Sequence, residues 1–155
     1  LLGFQIGLLF HVPIEKIQEA VSHFRTTEGR LTVINGSFKI IDDTYNSSYE
    51  SVKQSLKLLK KEKGKKFIVL GDMLEFGKFS KKYHKKINQQ LKTIHHKEVL
   101  LIGNDTKYIH GKHFCNLTSL QIYLDNHIQD KNIVFLKGSR AMNLNKIVEK
   151  LKQIV

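Results

Sequence analysis

Four short stretches of this 155-residue chain gather side chains able to do chemistry. Residues 42–46, "DDTYN", place two carboxylates, a hydroxyl, a phenol ring and an amide where a strand-like run ending in "II" should stop. An ionised carboxylate only accepts hydrogen bonds, yet Asp, Asn and Ser also build ordinary turns, so this stretch alone leaves turn and binding site both open. "GDMLEFG" offers Asp72 and Glu75, three apart, a spacing that could bind a metal or serve as acid and base. In "LKGSR", Gly138 lets the backbone turn after Lys137, and Ser139 is expected as N-cap of the closing helix. Free amides at that helix start, the positive end of its dipole and the Arg140 guanidinium would together form an anion site. Arg30, after Gly29, carries a permanent charge able to make two bonds to phosphate oxygens, or it is simply an exposed linker arginine.

The elements that must position these groups follow from the apolar rhythm. "KKFIVLG", "EVLLIG" and "NIVFLKG" read as strands ending in glycine. Between them, "SKKYHKKINQQLKTI" puts Tyr83, Ile87, Leu91 and Ile94 on one helical face, and "SLQIYLDNHI" suits another helix. The closing stretch 141–155 carries Leu144, Ile147, Val148, Leu151 and Val155 on one stripe. Near-continuous apolar strands alternating with amphipathic helices predict an α/β fold with a mostly parallel sheet covered by helices on both faces. In such sheets ligands bind at the carboxyl ends of the strands, where "DDTYN", "GDMLEFG" and "KGSR" all fall.

Earlier in the chain, "LTVINGSFKIID" predicts a hairpin through an Asn-Gly turn. The helix after "DDTYN" is expected to start with a capping box of Ser47 and Glu50, to bury Val52, Leu56 and Leu59, and to stop at Gly64. Residues 1–24 read as two helices, the second opened by Pro13 and striped with Ile14, Ile17, Val21 and Phe24. The polar stretch 25–30, "RTTEGR", is the expected boundary.

A net charge of +12 invites a nucleic-acid reading, but the lysines are spread over helix faces and tails, and no known nucleic-acid-binding motif accompanies them. A solvated basic surface is preferred, and it also attracts small anions. The single Cys115 excludes an internal disulfide and fits a reducing, cytoplasmic location. His110, His113 and Cys115 lie close together without a complete zinc spacing, so no metal site is assigned. "LLGFQIGLLF" is too short to cross a bilayer and lacks a signal-peptide layout. The leucine at position 1 fits a piece of a longer protein.

Gly29-Arg30, "IIDDTYNSSYESV", "VLGDMLEFG" followed by His84, and "LKGSRAM", in this order, resemble the C-terminal part of the Mur ligases, over essentially the whole chain. Within that family the resemblance is to the branch that joins D-alanyl-D-alanine to UDP-N-acetylmuramoyl-tripeptide in peptidoglycan synthesis. It implies a Rossmann-like domain over 31–155, preceded by the last two helices of a central ATPase domain over 1–24 and a hinge over 25–30. It also implies a cytoplasmic enzyme that uses ATP to form an acyl phosphate, which the dipeptide amine then attacks. No Gly-Lys-Thr or Gly-Lys-Ser occurs here, so the phosphate loop and the Mg2+ ligands are expected in missing N-terminal and central domains, and this part alone is expected to be inactive.

By the same resemblance Arg30 acts on the transferring phosphoryl group and binds ATP, Asp43 accepts from the ribose hydroxyls, and Tyr45 and Asn46 shape the adenosine pocket. Asp42 is assigned to capping backbone amides or orienting its neighbour. Lys137, Ser139 and Arg140 are assigned to the acceptor, with Arg140 on its carboxylate. Asp72 and Glu75 belong to a structural and substrate-facing loop, and His84 is a family position or a packing residue. The family's usual Asn-Pro after "YNA" is replaced by Ser48-Tyr49. Two alternatives stand beside this reading: a free-standing Rossmann-like nucleotide-binding module, and a basic nucleic-acid-binding protein.

Overall fold

A computed structural model describes residues 2–23 and 27–155. Two helices, α1 (Leu2–Leu9) and α2 (Ile14–Ser22), precede a hairpin of β1 (Thr32–Asn35) and β2 (Lys39–Asp43). Then come α3 (Tyr49–Lys61), β3 (Lys66–Gly71), a 3-10 stretch over Leu74–Phe79, α4 (Ser80–Leu91) and β4 (Glu98–Ile102). The chain ends with β5 (Lys112–Phe114), α5 (Leu117–His127), β6 (Ile133–Lys137) and α6 (Asn145–Leu151). The six strands form one sheet in the order β1-β2-β6-β3-β4-β5, antiparallel between β1 and β2 and parallel elsewhere.

Strand alternation divides the core into two layers. Ile41, Ile68, Leu70, Val99, Leu101, Ile133 and Phe135 pack with Val52, Leu56 and Leu59 of α3 and Ile87 and Leu91 of α4. Their neighbours Ile40, Phe67, Val69, Leu100, Val134 and Leu136 face the other way, onto Leu120 and Leu124 of α5 and Ile147, Val148 and Leu151 of α6. Every residue of β3 and β6 is buried, as expected for central strands covered on both faces. The predicted α/β sandwich is therefore the observed one.

Local details differ from the sequence reading at four places. The hairpin does not turn on Asn35-Gly36 as a pair, because Asn35 still pairs with Lys39 and residues 36–38 form the connection. Phe38, drawn into the core at 5% exposure, sets that longer loop. The cap of α3 is Ser48 with Ser51, not Ser47 with Glu50, since Ser47 is buried at the end of the preceding loop. The predicted closing helix is broken by Asn143 in the left-handed region (φ 53°), which confines α6 to Asn145–Leu151. Residues 112–114, read only as part of a His/Cys cluster, are an edge strand paired to β4.

α1 buries no residue and α2 buries only Ile17, so Leu2, Leu9 and Phe10 stand at least 70% exposed. Phe24, Arg25 and Thr26, part of the expected stripe and linker, lie outside the described residues. No helix among the described residues is long and apolar enough to cross a membrane.

One aromatic side chain ties α5 to the β4–β5 edge of the sheet. The Tyr123 hydroxyl of α5 donates to Glu98 Oε2 at the start of β4 (2.6 Å), and its ring stacks on His127 and lies 3.8 Å from Lys112 Nζ. The hydrogen bond to Glu98, with burial and the carboxylate charge, pushes the phenol up to about 12. A raised phenol pKa means that the fold favours the protonated ring. That contribution is complete below the ordinary tyrosine range near 10 and disappears as pH rises through about 12. An ultraviolet phenolate titration should show one tyrosine ionising near 12, and Glu98→Gln should bring it back toward the ordinary value. A titration unchanged by Glu98→Gln would contradict the assignment.

Candidate functional site

β2, β6 and β3 are neighbours, and their carboxyl ends converge on one edge of the sheet. Register places Asp43 opposite Lys137, and alternation turns both toward the α3 layer. The Asp43 Oδ2 atom accepts from Lys137 Nζ (2.7 Å) and from the Ser55 hydroxyl of α3 (2.5 Å). Lys137 also donates to the Asn46 carbonyl (2.9 Å), so a side chain only 2% exposed holds both a carboxylate and the loop that follows it. Asp42, one residue earlier, faces the opposite layer. Its Oδ1 accepts from the amide and the hydroxyl of Thr44 (3.0 and 2.7 Å), the capping role expected of it.

Arg30 reaches the same edge through a backbone contact. Gly29 adopts φ 74° and lies so close to Tyr45 that a Cβ would stand 2.9 Å from the Tyr45 nitrogen, while its carbonyl accepts from the Tyr45 amide (2.9 Å). Only glycine combines that φ with that approach. The result sets the Arg30 guanidinium 4.2 Å from the centroid of the Tyr45 ring, with Arg140 5.3 Å from the same ring. A ligand stacking on Tyr45 would have to share the ring with a guanidinium. Among the described residues, neither arginine belongs to an ion pair.

Two open clefts meet here. The first, about 380 Å³, is lined by Arg30, Asp43, Tyr45, Asn46, Ser47 and Lys137 among others. The second, about 370 Å³, is lined by Leu74, Ser139, Arg140 and Ala141. Tyr45, Asn46 and Glu75 belong to both and form their common wall. Asn46 Nδ2 donates to Glu75 Oε1 (2.8 Å), which joins the β2 loop to the β3 loop across that wall. Ser47 Oγ, buried at the rim of the first cleft, has no partner among the described residues.

The structure brings Arg30, Asp43, Tyr45 and Asn46 together and separates the three residues expected on the acceptor. Lys137 belongs to the first cleft, while Ser139 and Arg140 line the second. Nor is Ser139 the cap of the closing helix. It precedes a three-residue 3-10 turn, Arg140–Met142, and its hydroxyl accepts instead from the Leu74 amide (2.9 Å). The helix-dipole part of the expected anion site is therefore lost, and the charge that remains is that of Arg140.

Asp72 and His84 are buried supports for the loop between β3 and α4. Asp72 accepts from the amides of Asn104, Asp105 and Thr106 (2.8–2.9 Å). Gly103, at φ 124°, leaves room for that carboxylate, which a Cβ would overlap. His84 donates from Nδ1 to the Ser80 carbonyl (2.9 Å), which fixes the tautomer whose Nε2 accepts from the Met73 amide (3.1 Å). Among the described residues, no three His, Cys, Asp or Glu side chains cluster together, and Cys115 is exposed. Sequence reasoning missed the Ser55 and Lys137 bonds to Asp43 and the place of Glu75 in both clefts. The carboxyl-end position of Lys137 was the available signal.

The family model described as "Mur ligase, glutamate ligase domain" matches residues 29–152. The chain belongs to the Mur ligase family. A relative in Buchnera aphidicola named UDP-N-acetylmuramoyl-tripeptide–D-alanyl-D-alanine ligase is 36% identical, over 94% of this chain and 34% of its own length. The same-named protein of Rickettsia prowazekii is 30% identical over 88% of this chain and 32% of its own length. The chain thus spans about a third of the length of the curated relatives it matches. The structure of a MurF ligase from Thermotoga maritima in complex with ADP superposes with a TM-score of 0.81 at 24% identity, covering 97% of this chain and 36% of that one. MurF from Acinetobacter baumannii gives 0.82 at 22%, covering 96% and 35%, so the fold is shared.

The buried pair makes a stability prediction for this member of the family. Lys137→Met should destabilise the fold by about 3 kcal/mol, because it leaves the Asp43 carboxylate without its cation. The double variant Asp43→Asn/Lys137→Met should lose clearly less than the sum of the single variants. Additive losses in denaturant titrations would show that the pair is not coupled.

Proposed function

We infer that this chain is the C-terminal portion of an ATP-dependent ligase that joins D-alanyl-D-alanine to UDP-N-acetylmuramoyl-tripeptide, with the central and N-terminal parts of the same polypeptide completing the site. The observation that carries the reading is the pair of clefts at the carboxyl ends of β2, β6 and β3, one holding Arg30 and Asp43 and the other Arg140. Relatives bearing this ligase name at 30–36% identity support it, as does the ADP found with the Thermotoga maritima ligase.

In this reading the first cleft takes ATP. Asp43 has one oxygen committed to Lys137 and Ser55, and its other oxygen accepts from the ribose hydroxyls. Asn46 and Tyr45 border the base, and Tyr45 also keeps Arg30 at the cleft mouth until phosphate is present. Arg30 then places two donors on the phosphoryl group, stabilising charge as the tripeptide carboxylate is converted to an acyl phosphate. Mg2+ accompanying the ATP would take its protein ligands from the central part of the polypeptide. Arg140 holds the dipeptide carboxylate in the second cleft while the amine attacks. Location in the cytoplasm goes with this substrate set.

The test is phosphate release by the full-length protein with ATP, magnesium, the muramoyl tripeptide and D-alanyl-D-alanine, beside the 155-residue chain alone. The full-length protein should turn over at a rate on the order of 1–1000 per second and the isolated chain not at all. Turnover by the isolated chain would overturn the division of labour.

Variants of the full-length protein separate the two clefts. Arg30→Ala should lower kcat about a hundred-fold or more with a smaller change in the KM for ATP. Asp43→Ala, assayed where melting shows it folded, should raise that KM by about ten-fold. Wild-type constants in both would remove ATP from the first cleft. Arg140→Lys should raise the KM for D-alanyl-D-alanine with little change for ATP, because a lysine cannot make the paired bonds of a guanidinium. An unmoved dipeptide KM would show that Arg140 is not its carboxylate clamp.

A further inference from the structure

The second cleft carries one cation and one anion that do not neutralise each other. Arg140 and Glu75 both line it and both are exposed, yet among the described residues neither belongs to an ion pair. Opposite charges on flexible side chains in one small cleft ordinarily meet. Here the backbone on each side is tied down. The β3 loop is held by the Met73 amide on His84 and the Leu74 amide on Ser139, the residue just before Arg140. Glu75 is further restrained through Oε1, which accepts from Asn46, while Oε2 has no protein partner among the described residues. The cleft therefore presents an anion and a cation that stand on tied-down backbone and are not paired with each other.

We propose that Glu75 binds the α-ammonium group of the acceptor dipeptide, opposite Arg140 on its carboxylate, and so sets the direction in which the dipeptide lies. This rests on the ligase reading above. The complementary ligand is a small zwitterion with its charges at opposite ends, which a dipeptide with free termini is and a capped peptide is not. The asymmetry of the clefts supplies the direction. Glu75 belongs to the wall shared with the first cleft, whereas Arg140 lines only the second. An ammonium on Glu75 therefore lies at the boundary where the activated carboxyl must arrive, and the carboxylate on Arg140 points away from it. A dipeptide bound the other way would meet a like charge at each end. Glu75 is thus a specificity-determining binding residue.

The informative variant is Glu75→Gln in the full-length protein, because glutamine keeps an acceptor for Asn46 and removes only the charge. The KM for D-alanyl-D-alanine should rise by about ten-fold or more, as expected for loss of a charge-assisted bond, with a much smaller change in the KM for ATP. A second probe is D-lactoyl-D-alanine as a competitive inhibitor, which keeps the carboxylate and replaces the ammonium by a hydroxyl. Its inhibition constant should be nearly the same in wild type and Glu75→Gln, since the group that Glu75 recognises is absent from it. Equal weakening of dipeptide and depsipeptide would mean that Glu75 only shapes the wall, and an unchanged dipeptide KM would mean that it does not touch the acceptor. Either result overturns the proposal while leaving the ligase reading standing. A wild-type protein that consumes no D-alanyl-D-alanine would overturn both.

Discussion

The Asp43 carboxylate and the Lys137 ammonium are both withdrawn from water where β2 and β6 end side by side, and neither could be there alone. An unpaired charge in such a place costs several kcal/mol, so each requires the other. The consequences run outward from the pair. Asp43 also receives the Ser55 hydroxyl, which fixes the first turns of α3 against the sheet, and Lys137 also holds the Asn46 carbonyl, which fixes the loop between β2 and α3. That loop carries Tyr45 and Asn46, hence the ring against which Arg30 rests and the amide that meets Glu75. Since β6 is late in the sequence yet central in the sheet, the candidate site assembles only when β6 has entered between β2 and β3.

The distribution of interactions explains what the sequence could and could not reveal. Strand alternation and helix stripes are local regularities, and they made the sheet, its two covered faces and the inward residues of α3 and α4 readable. The capping role of Asp42 was readable too, because its partner Thr44 is two residues away. Where the reading failed, a distant contact chose between locally equivalent options. Ser47 and Ser48 are both good caps, and burial of Ser47 in the loop decides for Ser48. The stripe through Leu144 and Ile147 continues back toward residue 141, but the 3-10 turn that follows β6 and the left-handed Asn143 start the helix later. Lys137 looked like a ligand for an anion, and it is one. The anion is Asp43, on a strand far away in sequence, and spacing carries no record of that register.

Magnitudes decide how Arg30 can be held by Tyr45 and still be available. A cation–π contact at a ring open to solvent on one face, as half-buried Tyr45 is in the cleft wall, contributes about 0.5–1 kcal/mol. Each charge-assisted hydrogen bond between a guanidinium and a phosphate oxygen contributes about 1.5–3 kcal/mol, and the planar fork can make two. On the nucleotide reading proposed above, a phosphate arriving at the first cleft would outcompete the ring for Arg30, whereas the ring alone keeps the side chain near the cleft mouth. The same comparison applies to the shared wall. The Asn46–Glu75 bond lies in water and is individually weak, so the wall is defined less by that bond than by the buried groups on either side of it: Lys137 beneath Asn46, and His84 and Ser139 beneath the loop that bears Glu75. The strong, dry interactions fix the backbone, and the weak, wet ones leave Arg30, Glu75 and Arg140 free to exchange their present contacts for those of a ligand.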